Sequence, residues 1–534
     1  MSQTTIDRLT TDVTEQTGRL ESPAEAVAVL ESIGLTDDDA QTMGYADVFA
    51  LGLEVFEHQA SDGQMIAQRI EVEERYRAED LERHEPTNLL AFLPRFFGKG
   101  FTFGAPMVLM VFAVLILLYS LWAYFYFDIP RGTSIAVGTV ASYMVTAGFM
   151  QAIGRRGLMY LRQDMQVLSF KVSMLLVGLG VVAVVLSAIA MFIFLRIFPV
   201  IAPSEVPVAI LYFLTLSMLW LGLAVVYMLQ QEIWFSLAIA VGIAVVYFMR
   251  EYVGASVIVS HQAGILSAAA FGFVIGTALL WLRELRIRRD RKEPLAGRLP
   301  RFSVIAYTVS AYFAYGFIYF TFLFTDRILA WTGKTEFRRY FVWFQSDYEV
   351  GLNWALISLL FSFGVLEFTV YRLGELIPYL SRMYTLVSVR RFTGEAIAFY
   401  RRAVLVYIGS AVVGVVVAFV VVQALVSRVP LIATLLNDVS ITVFWIASVS
   451  YLFIVWSLLN NVFIFSFSRP AFALRAVVPA LIVDLVVGFI LSRVFIYWAA
   501  AFGLLAGAIV LWAISTHYAV KMLRDLDYYT YSAF

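Results

Sequence analysis

The residues of this chain that are able to do chemistry are ionisable side chains set inside long apolar runs. Glu367 stands in Phe363-Gly-Val-Leu-Glu-Phe-Thr, Asp484 in Leu481-Ile-Val-Asp-Leu-Val-Val, and Asp326 and Arg327 close the run that begins near Phe302. Arg155 and Arg156 end the second run and Arg372 the eighth, while Asn353 lies in the eighth and Asn460 and Asn461 in the tenth. A charge at the centre of a bilayer costs about 3 kcal/mol on insertion scales, so such residues turn toward a bundle interior or a cavity and mark ion or substrate paths by default. Two readings stand for each. Glu367 and Asp484 carry a coupling ion, or they pair with a neighbouring helix. The arginines line a path, or they snorkel to the interface. The asparagines line a cavity, or they are polar glue between helices.

Signatures of soluble enzymes are missing. There is no GxxxxGK(S/T) phosphate loop, no HExxH and no GxSxG. The histidines, His58, His84, His261 and His517, are too scattered for a metal site, and the absence of cysteine removes disulfides, thiol catalysis and Cys-bound metal. The reading is a non-enzyme with no cofactor and no nucleic-acid partner. Without a nucleotide-binding domain in the chain, any transport is driven by an ion gradient or by a partner.

The elements that must hold these residues are membrane helices. The chain is 61% hydrophobic and 15% charged, with mean hydropathy +0.81, whereas soluble domains are nearer half apolar and a quarter charged. Apolar runs of the length a bilayer needs fall at 103–127, 134–154, 171–195, 206–229, 233–250, 263–283, 303–324, 350–371, 403–427, 439–464, 474–492 and 495–517. Ten-residue alternation of a barrel is lacking, so helices are the remaining way to span. The expectation is an all-α polytopic membrane protein of about twelve helices. Gly272-x-x-x-Gly276 and Gly503-x-x-x-Gly507 mark close helix packing.

The net charge of zero hides a division. Residues 1–98 hold 20 acids and 7 bases, net −13, which leaves +13 on residues 99–534. The first part reads as a small helical cytoplasmic segment. Ser22-Pro23-Ala24-Glu25 and Thr36 before Asp37, Asp38 and Asp39 are helix starts, and Ser61 is expected to cap a third helix running to about His84. Val27, Leu30, Ile33, Val48, Phe49, Leu53 and Phe56 are its expected core. The segment is a solvated appendage or a docking module. The start, MSQTTIDRLTTDVTEQ, has no basic n-region or apolar h-region, so the first spanning helix is expected to direct insertion.

Lysine and arginine in alternate loops set orientation. The loops on the side of both termini hold 22, the others 9, which predicts both termini in the cytoplasm. The most basic loop, Arg283-Glu-Leu-Arg-Ile-Arg-Arg-Asp-Arg-Lys-Glu-Pro, has six runs on each side. The expected division is a segment over 1–98, a six-helix half over 99–285, a linker over 286–301 and a second half over 302–534, as in transporters built from repeats. The linker's charge also suits a topology anchor at anionic lipid. The loop after the seventh run is rich in rings (Trp331, Phe337, Tyr340, Phe341, Trp343, Phe344 and Tyr348). These read as an interfacial belt, ahead of a saccharide-stacking surface.

The seventh and eighth helices resemble the PelG family. Ala311-Tyr312-Phe313-Ala314-Tyr315-Gly316-Phe317-Ile318-Tyr319, closed by Phe324-Thr-Asp-Arg, is similar to that family's tyrosine-rich seventh helix, which ends on Asp-Lys; here Arg327 stands for the Lys. Ser346-Asp-Tyr-Glu349, an apolar helix and Val370-Tyr-Arg-Leu-Gly-Glu375 resemble its Tyr-Asp and Arg-Ile-Glu run with one extra residue, and Gln151-Ala-Ile-Gly-Arg-Arg-Gly-Leu158 also fits. The family belongs to the multidrug/oligosaccharidyl-lipid/polysaccharide (MOP) exporter superfamily, and residues 1–98 have no counterpart in it. The resemblance implies two six-helix bundles around a cavity in the cytoplasmic membrane. It also implies export of an exopolysaccharide or lipid-linked saccharide beside a cytoplasmic glycosyltransferase and other synthase subunits. On that reading Glu367, Asp484, Asp326, Arg327, Arg372, Asn461, Tyr312 and Tyr315 are the substrate-path or coupling residues. A cation-coupled drug antiporter, with Glu367 or Asp484 as carrier, and a non-transporting scaffold for a synthase are the alternatives.

Overall fold

In this computed structural model the described residues are 22–60, 126–163, 165–290, 299–335, 339–383, 389–428 and 436–526, with scattered positions over 6–20 and 102–124 and Tyr529. Two compact units form, one of residues 1–92 with 376–392 and one of residues 93–375 with 393–534.

The first unit contains α1 (Pro23–Ser32), α2 (Asp37–Thr42) and α3 (Val48–Ala60). Ser22 caps α1 by accepting the Glu25 N–H, with Pro23 at the first position. Thr36 and Asp39 form a reciprocal capping box at α2, which ties down two of the N–H groups that a helix start leaves without partners. Leu20, Val27, Leu30, Val48, Leu51 and Val55 are buried together. Two expected core residues are not: Phe49 is 65% and Leu53 41% exposed. They lie four apart on the outer face of α3, because Val48, Leu51 and Val55 take the inner face. The helix expected from Ser61 lies outside the described residues.

The remaining helices are α4 (Ile129–Arg162), α5 (Gln166–Ile197), α6 (Val206–Met228), α7 (Glu232–Glu251), α8 (Val257–Asp290), α9 (Phe302–Trp331), α10 (Ser346–Ile357), α11 (Leu359–Met383), α12 (Val389–Arg428), α13 (Asp438–Ser466), α14 (Pro470–Val494) and α15 (Ala501–Arg524), all in the second unit except the parts of α11 and α12 that fall within 376–392. Among the described residues, ten helices are long and apolar enough to span, or eleven if the bent pair α10–α11 is one span. The protein is an all-α polytopic membrane protein. In the first expected run, 103–127, the described positions up to Leu117 are helical. At its end the chain is not helical: Leu118 has φ +66° and Tyr119 bridges Tyr124 in a turn.

The helices outrun the apolar spans. α12 begins at Val389, α11 continues to Met383, and α9 to Trp331. Arg372 therefore lies within α11 and Asp326–Arg327 within α9, not at helix ends, because hydropathy reports hydrocarbon thickness while the hydrogen-bonded backbone extends past it. The α10–α11 bend is 49°. At the break the Ser358 hydroxyl donates to the Ala355 carbonyl at 2.6 Å, a local bond that competes with the helix ladder.

α4, α6, α8 and α7 pack as one group and α13, α14 and α15 as another, with α9 lying against both α4 and α14. Close approach depends on glycine. A Cβ on Gly272 would fall 2.5 Å from Leu223 of α6, and one on Gly503 would fall 2.6 Å from the Gly488 Cα of α14. Both small-residue motifs are thus packing sites.

Candidate functional site

Two acids from different helices are buried near the C-terminal end of α9 and in the middle of α14. Asp326 and Asp484 are both fully buried, and Asp326 acts electrostatically on Asp484. Local sequence explains why the site can close. Gly507 faces the Asp484 Cβ, where a methyl would fall 2.9 Å away, so α15 seals the acid against α14. Pro479 inside α14 removes one rung of that helix five residues before Asp484.

α10 completes the group. Its first turn carries Asp347 and Glu349, where acids suit the positive end of a helix. The Tyr348 hydroxyl donates to Asp326 Oδ2 at 2.7 Å. Arg327 forms an ion pair with Glu349 and donates to Asn353 Oδ1 at 3.4 Å, while Trp331 Nε1 donates to Glu349 Oε1 at 3.1 Å. Tyr497 donates to Asp347 Oδ2 at 2.5 Å. The second oxygen of Asp326 and both oxygens of Asp484 are buried without a hydrogen-bond partner. Unpaired carboxylate oxygens in a dry interior are costly, and two acids that share such a site favour one proton or one cation between them.

The aromatic loop is therefore not a plain interfacial belt. Trp331 and Tyr348 are buried and serve this group, while Phe341 is 55% exposed and Phe337 lies outside the described residues. The stretch between α9 and α10 ties the two helix groups at this end: Val342 N–H donates to the Val200 carbonyl at 2.9 Å and Phe344 N–H to Thr133 Oγ1 at 3.1 Å. Arg131 and Glu205 pair nearby in the first group at 2.9 Å.

Three of the other expected residues, Tyr312, Tyr315 and Asn461, form a second cluster toward the opposite end of α9. Asn461 Nδ2 donates to the Tyr315 hydroxyl at 2.9 Å, and the rings of Tyr312 and Tyr315 pack on Phe465 at 5.6 and 5.1 Å. Glu367 acts electrostatically on Tyr227 of α6. Arg372 is partly buried five residues further along α11. Asn460 is glue: it accepts from Tyr400 and donates to Ser515 and Thr516, joining α12, α13 and α15.

Sequence reasoning did not single out a third buried group. His261 is fully buried, with Nδ1 2.7 Å from the Tyr212 hydroxyl and Nε2 without a partner. A histidine one turn into an apolar helix carries no motif, and only the neighbouring phenol of α6 distinguishes it.

No family model and no curated protein sequence matches the chain. Solved structures do. A MATE mutant overlays with a TM-score of 0.55 at 12% identity, over 82% of this chain and 96% of that one. A eukaryotic MATE transporter overlays at 0.53 and 11%, over 83% and 98%. An outward-facing multidrug resistance MATE family transporter of the MOP superfamily overlays at 0.52 and 13%, over 82% and 96%. The chain has the fold of the MATE transporters of the MOP superfamily.

Proposed function

We propose that the chain is a cation-coupled membrane transporter in which Asp326 and Asp484 hold the coupling proton or cation. The observation that supports this most is three buried carboxyl oxygens without partners, drawn from two helices and shared between two acids. The group sits on α9, which packs on α4 of the first group and α14 of the second. Loading or releasing a positive charge there changes what Asp326 contributes to that packing, and so biases how the groups sit against each other. Asp326 and Tyr312 lie fourteen residues apart on α9, about 21 Å at 1.5 Å per residue, so one rigid helix links the acids to the cluster around Phe465.

The test is independent of cargo. Hydrogen exchange along α9 and over residues 339–345 is measured in the purified protein as pH or sodium concentration is stepped. The wild type responds to one of them, and Asp326→Asn with Asp484→Asn does not. An unchanged response in that variant removes the coupling role.

A second reading gives the cargo as an exopolysaccharide or lipid-linked saccharide, exported across the cytoplasmic membrane beside a glycosyltransferase. Its support is that the residues carrying the PelG resemblance, Asp326-Arg327 and Tyr348-Glu349, are the pairs in mutual contact. Polymer secretion by cells carrying Glu349→Gln tests it. Secretion falls if these pairs serve export and stays at the wild-type level if they do not.

A further inference from the structure

His261 stands five residues into α8, in the first helix group and away from the two acids of the proposed coupling site. Its imidazole is fully buried, with Nδ1 2.7 Å from the Tyr212 hydroxyl of α6 and Nε2 without a partner. The Phe127 ring meets it edge-on at 5.9 Å, and Tyr124 packs on Phe127 at 5.0 Å. These two rings join His261 to the turn of residues 118–124, which precedes α4. In that turn Tyr119 bridges Tyr124, Leu118 has φ +66°, and the Ser120 hydroxyl is buried without a partner. A leucine in the left-handed region stays there only while its surroundings hold it. The holding contacts are the Tyr119 hydroxyl, which donates to Glu251 Oε1 at 2.9 Å, Leu121, buried against Gly242 and Gly264, and Trp122, edge-on to Trp220 at 5.7 Å. Tyr126, beside Phe127, is 60% exposed, so this stretch separates the imidazole from the protein surface.

The charged groups at this end are engaged elsewhere. Arg131 of α4 pairs with Glu205, Glu251 of α7 accepts from Tyr119, and Arg250 donates to the Ala255 carbonyl at 3.2 Å. Asp128 acts on Arg131, Tyr247 and Arg250 act on Tyr119, and Arg131 and Gln262 act on the Tyr212 hydroxyl. Among the described residues no charged group acts on the imidazole. Neutral, the ring leaves one nitrogen unpaired. Charged, it carries two N–H donors, and the one on Nε2 has no acceptor in a dry wall. A buried cation without a partner is the costlier state by far, and displacing Phe127 and the turn lets water reach Nε2.

We propose that His261 is a proton-operated latch on the turn of residues 118–124: neutral, it keeps the turn packed, and protonated, it releases it. The purpose of the latch rests on the transporter reading, since release frees one end of α6, α7 and α8 to shift. The latch itself works without Asp326 and Asp484. With the turn displaced the imidazole is solvated and titrates near its ordinary value of about 6.5. The turn is therefore held above that pH, and its release grows up to about tenfold per pH unit below it.

Hydrogen-exchange protection over residues 118–124, corrected for the intrinsic pH dependence of exchange, is measured on the full-length protein in detergent between about pH 7.5 and about pH 5. In the wild type it falls at least tenfold toward acid. In Asp326→Asn with Asp484→Asn it falls equally, which keeps this test apart from that of the coupling role. In His261→Gln, whose side chain still forms hydrogen bonds but does not ionise, it stays level. Glu251 is the other titratable group bonded to the turn, and Glu251→Gln keeps the fall. A level wild type, a fall that survives His261→Gln, or a fall lost in either acid variant overturns the proposal. Should His261→Gln not fold, deuterium uptake at the imidazole C2 of wild-type His261 is followed over the same range by mass spectrometry. A midpoint that coincides with the loss of protection supports the latch, and an imidazole that does not titrate in that range overturns it.

Discussion

The Tyr348 hydroxyl donates a hydrogen bond to Asp326 Oδ2 at 2.7 Å, and the other oxygen of that carboxyl is buried without a donor. Adjacent in sequence to this pair, Arg327 and Glu349 form an ion pair of their own. Two neighbouring residues on α9 thus meet two neighbouring residues on α10, one link polar and one ionic. The ionic link neutralises itself, so the charge state of Asp326 and Asp484 is left as the variable of the site.

Arg327→Met strands Glu349 in a buried position. Loss of one partner of a buried pair costs roughly 3–5 kcal/mol, and the variant should unfold correspondingly earlier in detergent. Arg327→Met combined with Glu349→Met should recover most of the loss. A double variant no more stable than the single one would mean that the pair is not isolated from its surroundings.

Gly503 and Gly507 set the distance between α14 and α15. A Cβ on Gly503 meets the Gly488 Cα at 2.6 Å and the Asp484 carbonyl at 2.7 Å, both backbone atoms that cannot rotate away. Gly503→Ala should cost on the order of 1–3 kcal/mol, the range for overpacking. Gly178, with nothing within 4 Å of a Cβ, is the control: Gly178→Ala should leave the melting temperature within about a degree of wild type or raise it slightly, since Ala is the better helix former.

Topology is testable by reporter fusions. The bias of lysine and arginine puts fusions at Pro294 and after Phe534 in the cytoplasm and one at Gly333 outside. A cytoplasmic signal at Gly333 breaks the alternation on which the expected count of twelve depends.

Thr36 holds the Asp39 carboxyl below its ordinary value, first through its hydroxyl and then through its backbone N–H. A lowered native value stabilises the start of α2 above the ordinary carboxylate range near 4. That contribution is present at neutral pH and is lost as pH falls through the lowered native value. Hydrogen-exchange protection over Asp37–Thr42 should drop in acid, and Asp39→Asn should show less protection at pH 7 with little further change in acid.

Residues 1–90 carry their own core, so their deletion should leave helix insertion intact. If the segment docks a synthase subunit, the deletion lowers co-purification of the glycosyltransferase, and replacing the exposed Phe49 and Leu53 by Ser lowers it too. Equal recovery from all three proteins removes the docking role.

Most of the fold was legible in the sequence because a bilayer imposes length and composition on each span separately. The described runs after 127 and the helices that cover them coincide in the core of each element, as do the caps at Ser22 and Thr36 and the two glycine pairs. Each of these is a local property. What lay beyond local reach were the partners. Asp326 and Asp484 are 158 residues apart, and nothing in either neighbourhood announces that they share one dry site. The inward reach of Arg155 to Phe465, the burial of Trp331 and Tyr348, and the pairing of His261 with Tyr212 are of the same kind. An amphipathic or charged side chain near a helix end has both interface and interior within reach, and its sequence context is the same for either. Only the packing of α9 against α4 and α14 decides between them, because it determines which side chains lose water and which face one another.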